Sequence, residues 1–406
     1  MANTSSDNAR RTGKRRGTAV VAALLLLAAV VALFVWKRPF SEGFEITDQL
    51  GGNIFPSAIL SVATTDAEVV KPTGAHCLGN TKGGIAIEVK ARRPGSRVRI
   101  ELAETPFYAR SVSEFVLPQK DTLYTVYPDI LWRYDSLRSN TQAEPVSVVA
   151  EVEIDGRKLG QRVRTFSVRS VNECLLGYMR QTGGGRTDFV STRLFFAAYV
   201  NEESPLIDKI LREALNTRIV RRFQGYQRGT AESVDKQVYA LWYVLQKRNF
   251  RYSSVSYSSL SSNVVYSQRV RTLADALSSS QINCVDGSVL FASLLRAINI
   301  TPVLVQTPGH MFVGYYTDSS RKQLAFLETT MIGDIDLDDY FPEERLDSAS
   351  TGKTQAEMSR LTFEKSKEYA MREFVRNEKK VRNNDKGYMF LEITKAVRRS
   401  VQPIGK

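Results

Sequence analysis

The sequence is poor in the residues from which metal and redox sites are built. It contains 3 cysteines and 2 histidines in 406 residues. Three cysteines cannot all pair, so at least one thiol is expected to stay unpaired. His76 stands beside Cys77 with no third ligand near it in the sequence, which is poor spacing for a metal site. We therefore expect neither a metal ion nor a cofactor.

The sequence also lacks a basic domain of the kind that binds nucleic acid. The formal net charge is +13, but residues 1–38 contribute +6 of it and residues 353–406 contribute +7. The segment 39–352 is therefore neutral overall. Because nucleic-acid-binding domains concentrate positive charge on a folded face, nucleic acid is not expected as a partner. A hydrophobic content of 43% predicts packed globular protein between the basic ends.

Long apolar runs are missing except near the N-terminus. Residues 17–36 carry no charge, and at about 1.5 Å per residue such a run spans the roughly 30 Å core of a bilayer. This predicts a transmembrane helix at 17–36, with the membrane as a partner. More basic residues precede it than follow it, so the positive-inside rule places the tail 1–16 in the cytoplasm and the bulk of the chain outside. A cleaved secretory signal is the alternative.

An outward location would permit disulfides. Cys77 and Cys174 lie near the two ends of the first region with a regular pattern, and a bridge between them would join its first and last strands. Cys284 would then be the odd thiol. The alternative is three unpaired cysteines, two of which are small buried side chains.

Alternation of apolar and polar residues dominates the first half of the chain. Turn residues such as Asp155-Gly156 separate the runs, which predicts short antiparallel strands in an immunoglobulin-like β-sandwich over 54–172. We expect an envelope partner, if the protein has one, to contact this sandwich. The alternating runs are 84–91, 97–104, 121–132, 146–154 and 162–171.

The second half changes period. Helical spacing at 204–216 and 233–249 is followed by a helix-like run headed by Cys284 and then by three strand-like runs, an α+β pattern. Residues 352–406 mix charges along a helical stretch. They are interpreted as a C-terminal helical extension with a solvated face, with contact to anionic lipid or wall polymer as the lesser alternative.

Cys284 and His310 have the placement that thiol chemistry requires. A helix N-terminus lowers the pKa of a thiol, and a nearby imidazole can act as its base. His310 opens one strand, and Glu328 lies near the end of the next. Antiparallel pairing of those strands would place Glu328 beside His310, where a carboxylate orients the ring. Asp286 is expected to cap the first helical turn.

The order of these residues, with the leucine-rich helix after Cys284 and the upstream segment VYALWYVLQKRNFRYSS, resembles the bacterial transglutaminase-like (papain-like) cysteine domain over 188–345. The resemblance implies a papain-type α+β domain and acyl transfer from an amide of a protein or peptide substrate. It implies that Cys284 is the nucleophile, His310 the general base and acid, and Glu328 the orienting residue. Its bacterial character also implies the periplasmic side of an inner membrane.

Two points stay open at this stage. The oxyanion donors beside the Cys284 N–H could be Gln224, Gln227 or Tyr252. Ile282 stands where the family often has glycine, so a catalytically inactive binding or scaffold module is the alternative to an enzyme. A third alternative is a structural protein that docks to the envelope through its basic C-terminus.

Overall fold

The computed structural model describes residues 43–405, apart from 73, 92, 183–185, 228, 249, 254–261, 334–335, 345 and 347–351. The strands of these residues are β1 (Phe44–Asp48), β2 (Asn53–Ile54), β3 (Cys77–Gly79), β4 (Ile85–Lys90), β5 (Ser96–Leu102), β6 (Tyr108–Ala109), β7 (Ser111–Leu117), β8 (Leu123–Tyr127), β9 (Leu131–Trp132), β10 (Glu144–Ile154), β11 (Arg157–Val168), β12 (Glu173–Thr182), β13 (Arg186–Ser191), β14 (Arg251–Tyr252), β15 (Val265–Arg269), β16 (Gln281–Ile282), β17 (Pro302–Thr307), β18 (His310–Tyr316), β19 (Leu324–Leu327) and β20 (Met389–Glu392).

The α-helices of the same residues are α1 (Pro56–Val62), α2 (Tyr134–Ser139), α3 (Pro205–Asn216), α4 (Ala231–Lys247), α5 (Leu273–Ser279), α6 (Cys284–Ala297), α7 (Gln355–Arg382) and α8 (Lys395–Ser400). Short 3₁₀ helices cover Thr81–Gly83, Arg193–Tyr199, Thr329–Met331 and Leu337–Asp339.

The first half of the chain forms two sheets that share a core. One has the strand order β1-β4-β8-β3 and the other β2-β11-β10-β5-β7. Ile87 and Val126 of the first sheet belong to the same buried cluster as Ile100 and Val148 of the second. Both sheets are mixed, because β3 pairs with β8 in parallel and β2 with β11 in parallel. The expectation of purely antiparallel strands is therefore corrected.

The strands β13-β12-β15 form a third, antiparallel sheet. The predicted helices lie between β13 and β15 in the chain: α3 and α4 start close to residues 204 and 233, and both predictions are confirmed. The apolar spacing of α4 buries Val238, Leu241, Trp242 and Leu245 almost completely, which is the pattern of a helix with one core-facing stripe.

The sheet that positions the candidate site has the order β19-β18-β17-β20, all antiparallel. Its alternating side chains enter two different buried clusters. Leu304 and Val313 join the main core with α6, while Val305 and Phe312 join a second cluster with Phe374 of α7. Because neighbouring residues of a strand point to opposite faces, α6 and α7 cover opposite faces of this sheet.

Helix α7 is amphipathic as well as charged. Its buried side chains, at helical spacing, include Phe363, Ser366, Ala370 and Phe374. The charged side chains lie on the remaining surface in pairs such as Arg360–Glu364. After α7 the chain returns as β20 and adds a strand to the sheet beside β17. The C-terminal segment therefore contributes both a helix and a strand to the packing of that sheet.

The transmembrane helix predicted at 17–36, and the tail 1–16, lie outside the described residues. Among the helices that the structure does describe, none is long and apolar enough to cross a membrane. The longest, α7, has the length but carries charged residues throughout. Single-pass anchoring with an outward-facing, periplasmic bulk is therefore not supported, and the fold class is corrected to a mixed α+β chain with several sheets.

The predicted bridge between Cys77 and Cys174 is not formed. Cys174 is a free thiol in β12 and is completely buried. Cys77 lies in β3, where it is the register partner of Thr125, and this sheet is not the one that contains β12 and Cys174. Burial raises the pKa of the Cys174 thiol well above its usual range, so this cysteine behaves as a small apolar side chain.

Candidate active site at the N-terminus of helix α6

A capping box fixes the first turn of α6, which begins at Cys284. The Asn283 side chain accepts from the Asp286 N–H at 2.8 Å, and the Asp286 carboxylate accepts from the Asn283 N–H at 3.1 Å. These reciprocal bonds satisfy two N–H groups at the start of the helix. The prediction that Asp286 caps the helix is confirmed. Cys284 is half-buried in the first helical position.

Asp286 also ties the helix to the segment before it. Its carboxylate accepts from the Arg271 backbone N–H at 2.8 Å and pairs with the Arg271 guanidinium at 2.5 Å. The Asp286 side chain is completely buried in this pair. A buried carboxylate needs such partners, because removing it from water without them is costly. Asp286 therefore fixes the position of the first turn of α6.

A tight hairpin places His310 at the start of β18. Thr307 and His310 are register partners at the end of the β17–β18 pair, so Pro308 and Gly309 make the turn. Gly309 has φ +76°, the value required at the third position of a type II turn, where proline is common just before it. The chemistry of this Pro-Gly pair fixes where the strand begins and hence where the ring lies.

Strand register brings Glu328 to His310. The predicted pairing of β18 with β19 is confirmed, with Val313 opposite Leu327. Glu328 follows β19 directly and is therefore a diagonal neighbour of His310 on the same face, within reach of long side chains. The Nε2 atom of His310 lies 2.6 Å from Oε2 of Glu328. This contact leaves Nδ1 as the ring nitrogen available to a second partner.

The second partner of the ring is the Cys284 thiol. Burial alone would lower the pKa of His310, but the hydrogen bonds to Cys284 and to Glu328, together with their charges, outweigh it and raise the pKa to about 10. The imidazole is therefore held as imidazolium over the neutral range by its two hydrogen-bond partners. Cys284, His310 and Glu328 are thus brought together in one hydrogen-bonded row.

Glu328 is held by a second set of residues that the sequence analysis did not find. Its Oε1 accepts from the Thr330 N–H at 3.0 Å and from the Thr330 hydroxyl at 2.7 Å. The Thr330 hydroxyl lies 3.1 Å from the Tyr340 hydroxyl. Since Thr330 donates its one hydroxyl proton to Glu328, Tyr340 must donate to Thr330. Ser366 of α7 bonds the Glu328 backbone at 3.0 Å.

Helix α6 approaches this acid closely because residue 287 is glycine. A Cβ added to Gly287 would lie 2.6 Å from the Thr329 Oγ1 and 2.8 Å from the Thr329 Cβ. Both distances are too short for real contacts, so any side chain would push the helix away from the turn that begins at Glu328. Gly287 is the sequence signal for this close approach, although a lone glycine in a helix does not reveal its neighbour.

Of the three residues named as oxyanion donors, the structure brings Tyr252 to the site. Tyr252 pairs with Ile282 between β14 and β16, two residues before Cys284. Burial raises the pKa of Tyr252, and the charges of Cys284 and Glu328 raise it further. Its hydroxyl therefore stays protonated and able to donate a hydrogen bond at neutral pH. Tyr252 is 43% exposed, so a ligand can contact it.

Gln224 and Gln227 lie at the opposite end of α6, which corrects that prediction. The Gln224 N–H donates to Gln237 of α4, and a Cβ on Gly225 would meet the carbonyl of Ile298, the C-cap residue that follows α6. At about 1.5 Å per residue, the 14 residues of α6 separate its ends by roughly 20 Å. Neither glutamine can reach the thiol.

No group of three or more His, Cys, Asp or Glu able to hold a metal ion occurs among the residues that the structure covers. No protein-family model matches the chain, and no curated protein matches it at a significant level. The class of protein must therefore be argued from the side chains at the start of α6.

Proposed function

We propose that the protein is a transglutaminase-like cysteine hydrolase or acyltransferase that acts on amide bonds of peptides or proteins. The observation that carries this proposal is the row Cys284–His310–Glu328 at a helix N-terminus, in which His310 has a pKa of about 10. A thiol beside an imidazolium and a helix N-terminus has the environment of a nucleophilic cysteine.

The first half of the reaction transfers the acyl group to sulfur. The Cys284 thiolate attacks the amide carbonyl carbon and forms a C–S bond, and the carbonyl electrons move to oxygen. The His310 imidazolium gives its proton to the amide nitrogen, the C–N bond breaks and the amine leaves with that proton. Glu328 holds the ring in place and stabilises its charge before the proton leaves.

The second half returns the enzyme to its starting state. Neutral His310 takes a proton from water or from an amine, which attacks the thioester carbon. The C–S bond breaks, and the thiolate and imidazolium are restored. Water as the acceptor gives hydrolysis, and an amine gives transamidation; both acceptors use the same three side chains.

We infer two donors for the oxyanion. The N–H groups of the first helical turn have no acceptor within the helix, and the capping bond uses that of Asp286 rather than that of Cys284. The Tyr252 hydroxyl is the second donor, because its raised pKa keeps it protonated beside the thiol. Removing one donor of this kind typically lowers kcat by a factor of about 10² to 10³.

The test is thiol reactivity resolved by residue. The full chain is treated with a peptide-like epoxide that reacts with activated thiols, and labelled peptides are identified by mass spectrometry. We expect labelling at Cys284, none in Cys284→Ala, and a rate at least tenfold lower in His310→Gln. A Cys77→Ser variant controls for background at the other partly exposed cysteine. Equal labelling rates at Cys284 in wild type and His310→Gln would refute the proposed triad.

A second experiment on the same protein preparation distinguishes an active enzyme from a catalytically inactive binding module. Ile282, which motivated that alternative, is buried beside Tyr252 and does not occupy the position of a reacting group. A panel of peptide and isopeptide substrates, with and without an added amine, is expected to show turnover that Cys284→Ala abolishes. A reactive Cys284 without turnover, combined with retained peptide binding in Cys284→Ala, would favour the binding module.

A further inference from the structure

An apolar groove lies away from the residues of the candidate active site. Its volume is about 900 Å³, within the range of small-molecule sites in proteins. One wall is the face of the β13-β12-β15 sheet, with Phe189 and Tyr266. The other wall is the turn after α7 together with β20. Leu176, Leu194, Met389 and Phe390 also belong to the apolar part of the lining.

The apolar wall includes large side chains that are exposed to solvent. Phe189, Leu194 and Tyr266 are between 37% and 43% exposed. The Phe189 and Tyr266 rings meet edge to face at 5.8 Å, and Phe189 lies over Gly177, where a Cβ would be 2.4 Å from the ring. Because Gly177 has no side chain, the Phe189 ring can pack directly on β12 and forms the base of the groove together with Tyr266. A contiguous apolar surface of this kind in a folded protein marks an interaction site.

The charges in the groove have one sign. Arg193 and Lys386 line it, and no acid does. Arg193 donates to the Tyr388 carbonyl at 3.1 Å and so ties one wall to the other. Among the described residues its Nε is buried with no hydrogen-bond acceptor, whereas Arg180 of β12 is paired with Asp188. Burial lowers the pKa of this guanidinium, as expected for a cation that lacks an anion.

From the apolar walls and the unpaired Arg193 we propose that the groove binds a long-chain carboxylate, with the alkyl chain on Phe189 and Tyr266 and the head group on Arg193. A planar guanidinium matches a carboxylate in geometry and charge. Lys386 at the rim adds attraction without fixing geometry. This site does not depend on the chemistry of Cys284, so the inference stands apart from the proposed function.

The test uses the full chain and dansylaminoundecanoate as the fluorescent probe, displaced by dodecanoate. We expect saturable binding and displacement by dodecanoate. Arg193→Met is expected to weaken dodecanoate binding by about tenfold or more, because it removes a charge-assisted contact. Dodecanol, which has the chain but no charge, is expected to bind weakly to wild type and equally well to Arg193→Met.

The matched control is Arg180→Met. Arg180 lies on the β12–β13 hairpin that also carries Phe189, but it is paired with Asp188 at 2.6 Å and does not line the groove. Its loss is therefore expected to leave dodecanoate binding unchanged. Phe189→Asp, which alters an exposed side chain, is expected to abolish binding with the fold intact by circular dichroism. Absence of saturable binding, equal affinity for dodecanol and dodecanoate, or displacement by an apolar peptide but not by dodecanoate would overturn the proposal.

Discussion

The Glu328 carboxylate contacts the His310 ring at 2.6 Å while remaining completely buried. Its other oxygen is held by the backbone and hydroxyl of Thr330. The carboxylate therefore bridges the ring and the turn that follows β19.

Glu328→Gln keeps the size of the side chain and removes its charge. Because both the hydrogen bond and the charge of Glu328 raise the pKa of His310, this pKa is expected to fall, and Cys284 is left with a weaker cationic partner near neutral pH. We expect the rate of Cys284 alkylation by iodoacetamide at pH 7 to fall at least tenfold. Rates measured from pH 5 to 10 check this, and an unchanged profile would contradict the role of Glu328.

Thr330→Val removes a hydroxyl of nearly the same shape. The buried Glu328 oxygen loses a charge-assisted bond of 2.7 Å, which is expected to lower the free energy of unfolding by about 1.5 to 3 kcal/mol. Thr329→Val is the matched control. The Thr329 Oγ1 is buried without a hydrogen-bond partner, so its replacement is expected to be neutral or stabilising. Urea unfolding of both variants measures the difference, and equal effects would count against the Thr330 contact.

Gly287→Ala tests the close approach of α6 to Thr329. Alanine favours a helix by about 1 kcal/mol over glycine, but its Cβ would lie 2.6 Å from the Thr329 hydroxyl. We expect the overlap to prevail, with a net loss of about 1 to 3 kcal/mol in the free energy of unfolding. Cys284 alkylation should also slow, because the helix start moves away from His310. A stabilised variant with normal alkylation would refute the close approach.

Asp286→Asn removes the charge from a buried ion pair and weakens the capping box. The Arg271 guanidinium would remain largely buried without its partner, and breaking such a pair typically costs about 3 to 5 kcal/mol of folding free energy. The control is Glu364→Gln in the exposed pair with Arg360, where the change is expected to stay within about 1 kcal/mol. Thermal and urea unfolding compare the two, and similar losses would contradict a special role for Asp286.

The pH dependence of stability should carry the signature of His310. Its pKa is raised on folding from 6.5 to about 10, so the folded protein binds the proton more tightly than the unfolded chain. The resulting stabilisation is fully present below about pH 6.5 and is lost as the pH rises towards about 10. Urea unfolding between pH 6 and 10 should show a steeper loss for wild type than for His310→Gln. Parallel curves would contradict the raised pKa.

The sequence was sufficient for the parts of the site that depend on local rules. Helical spacing located α3 and α4, Asp286 was recognised as a cap, and the strand that begins at His310 and the strand that leads to Glu328 were paired correctly. These features follow from periodicity and from capping and turn chemistry, which act over a few residues. Residues 17–36 had a strong apolar signal, but the structure as described provides no membrane-crossing helix to support it.

Contacts between distant segments were decided by tertiary structure alone. The sequence left Gln224 and Gln227 open as candidate oxyanion donors, whereas packing puts them at the far end of α6. The same packing separates Cys77 from Cys174 and brings Ser366 of α7 to the Glu328 backbone. Local residue preferences determine where helices and strands begin. Which side chains meet depends on how complete elements pack to bury their apolar faces, and short-range sequence patterns do not predict this packing.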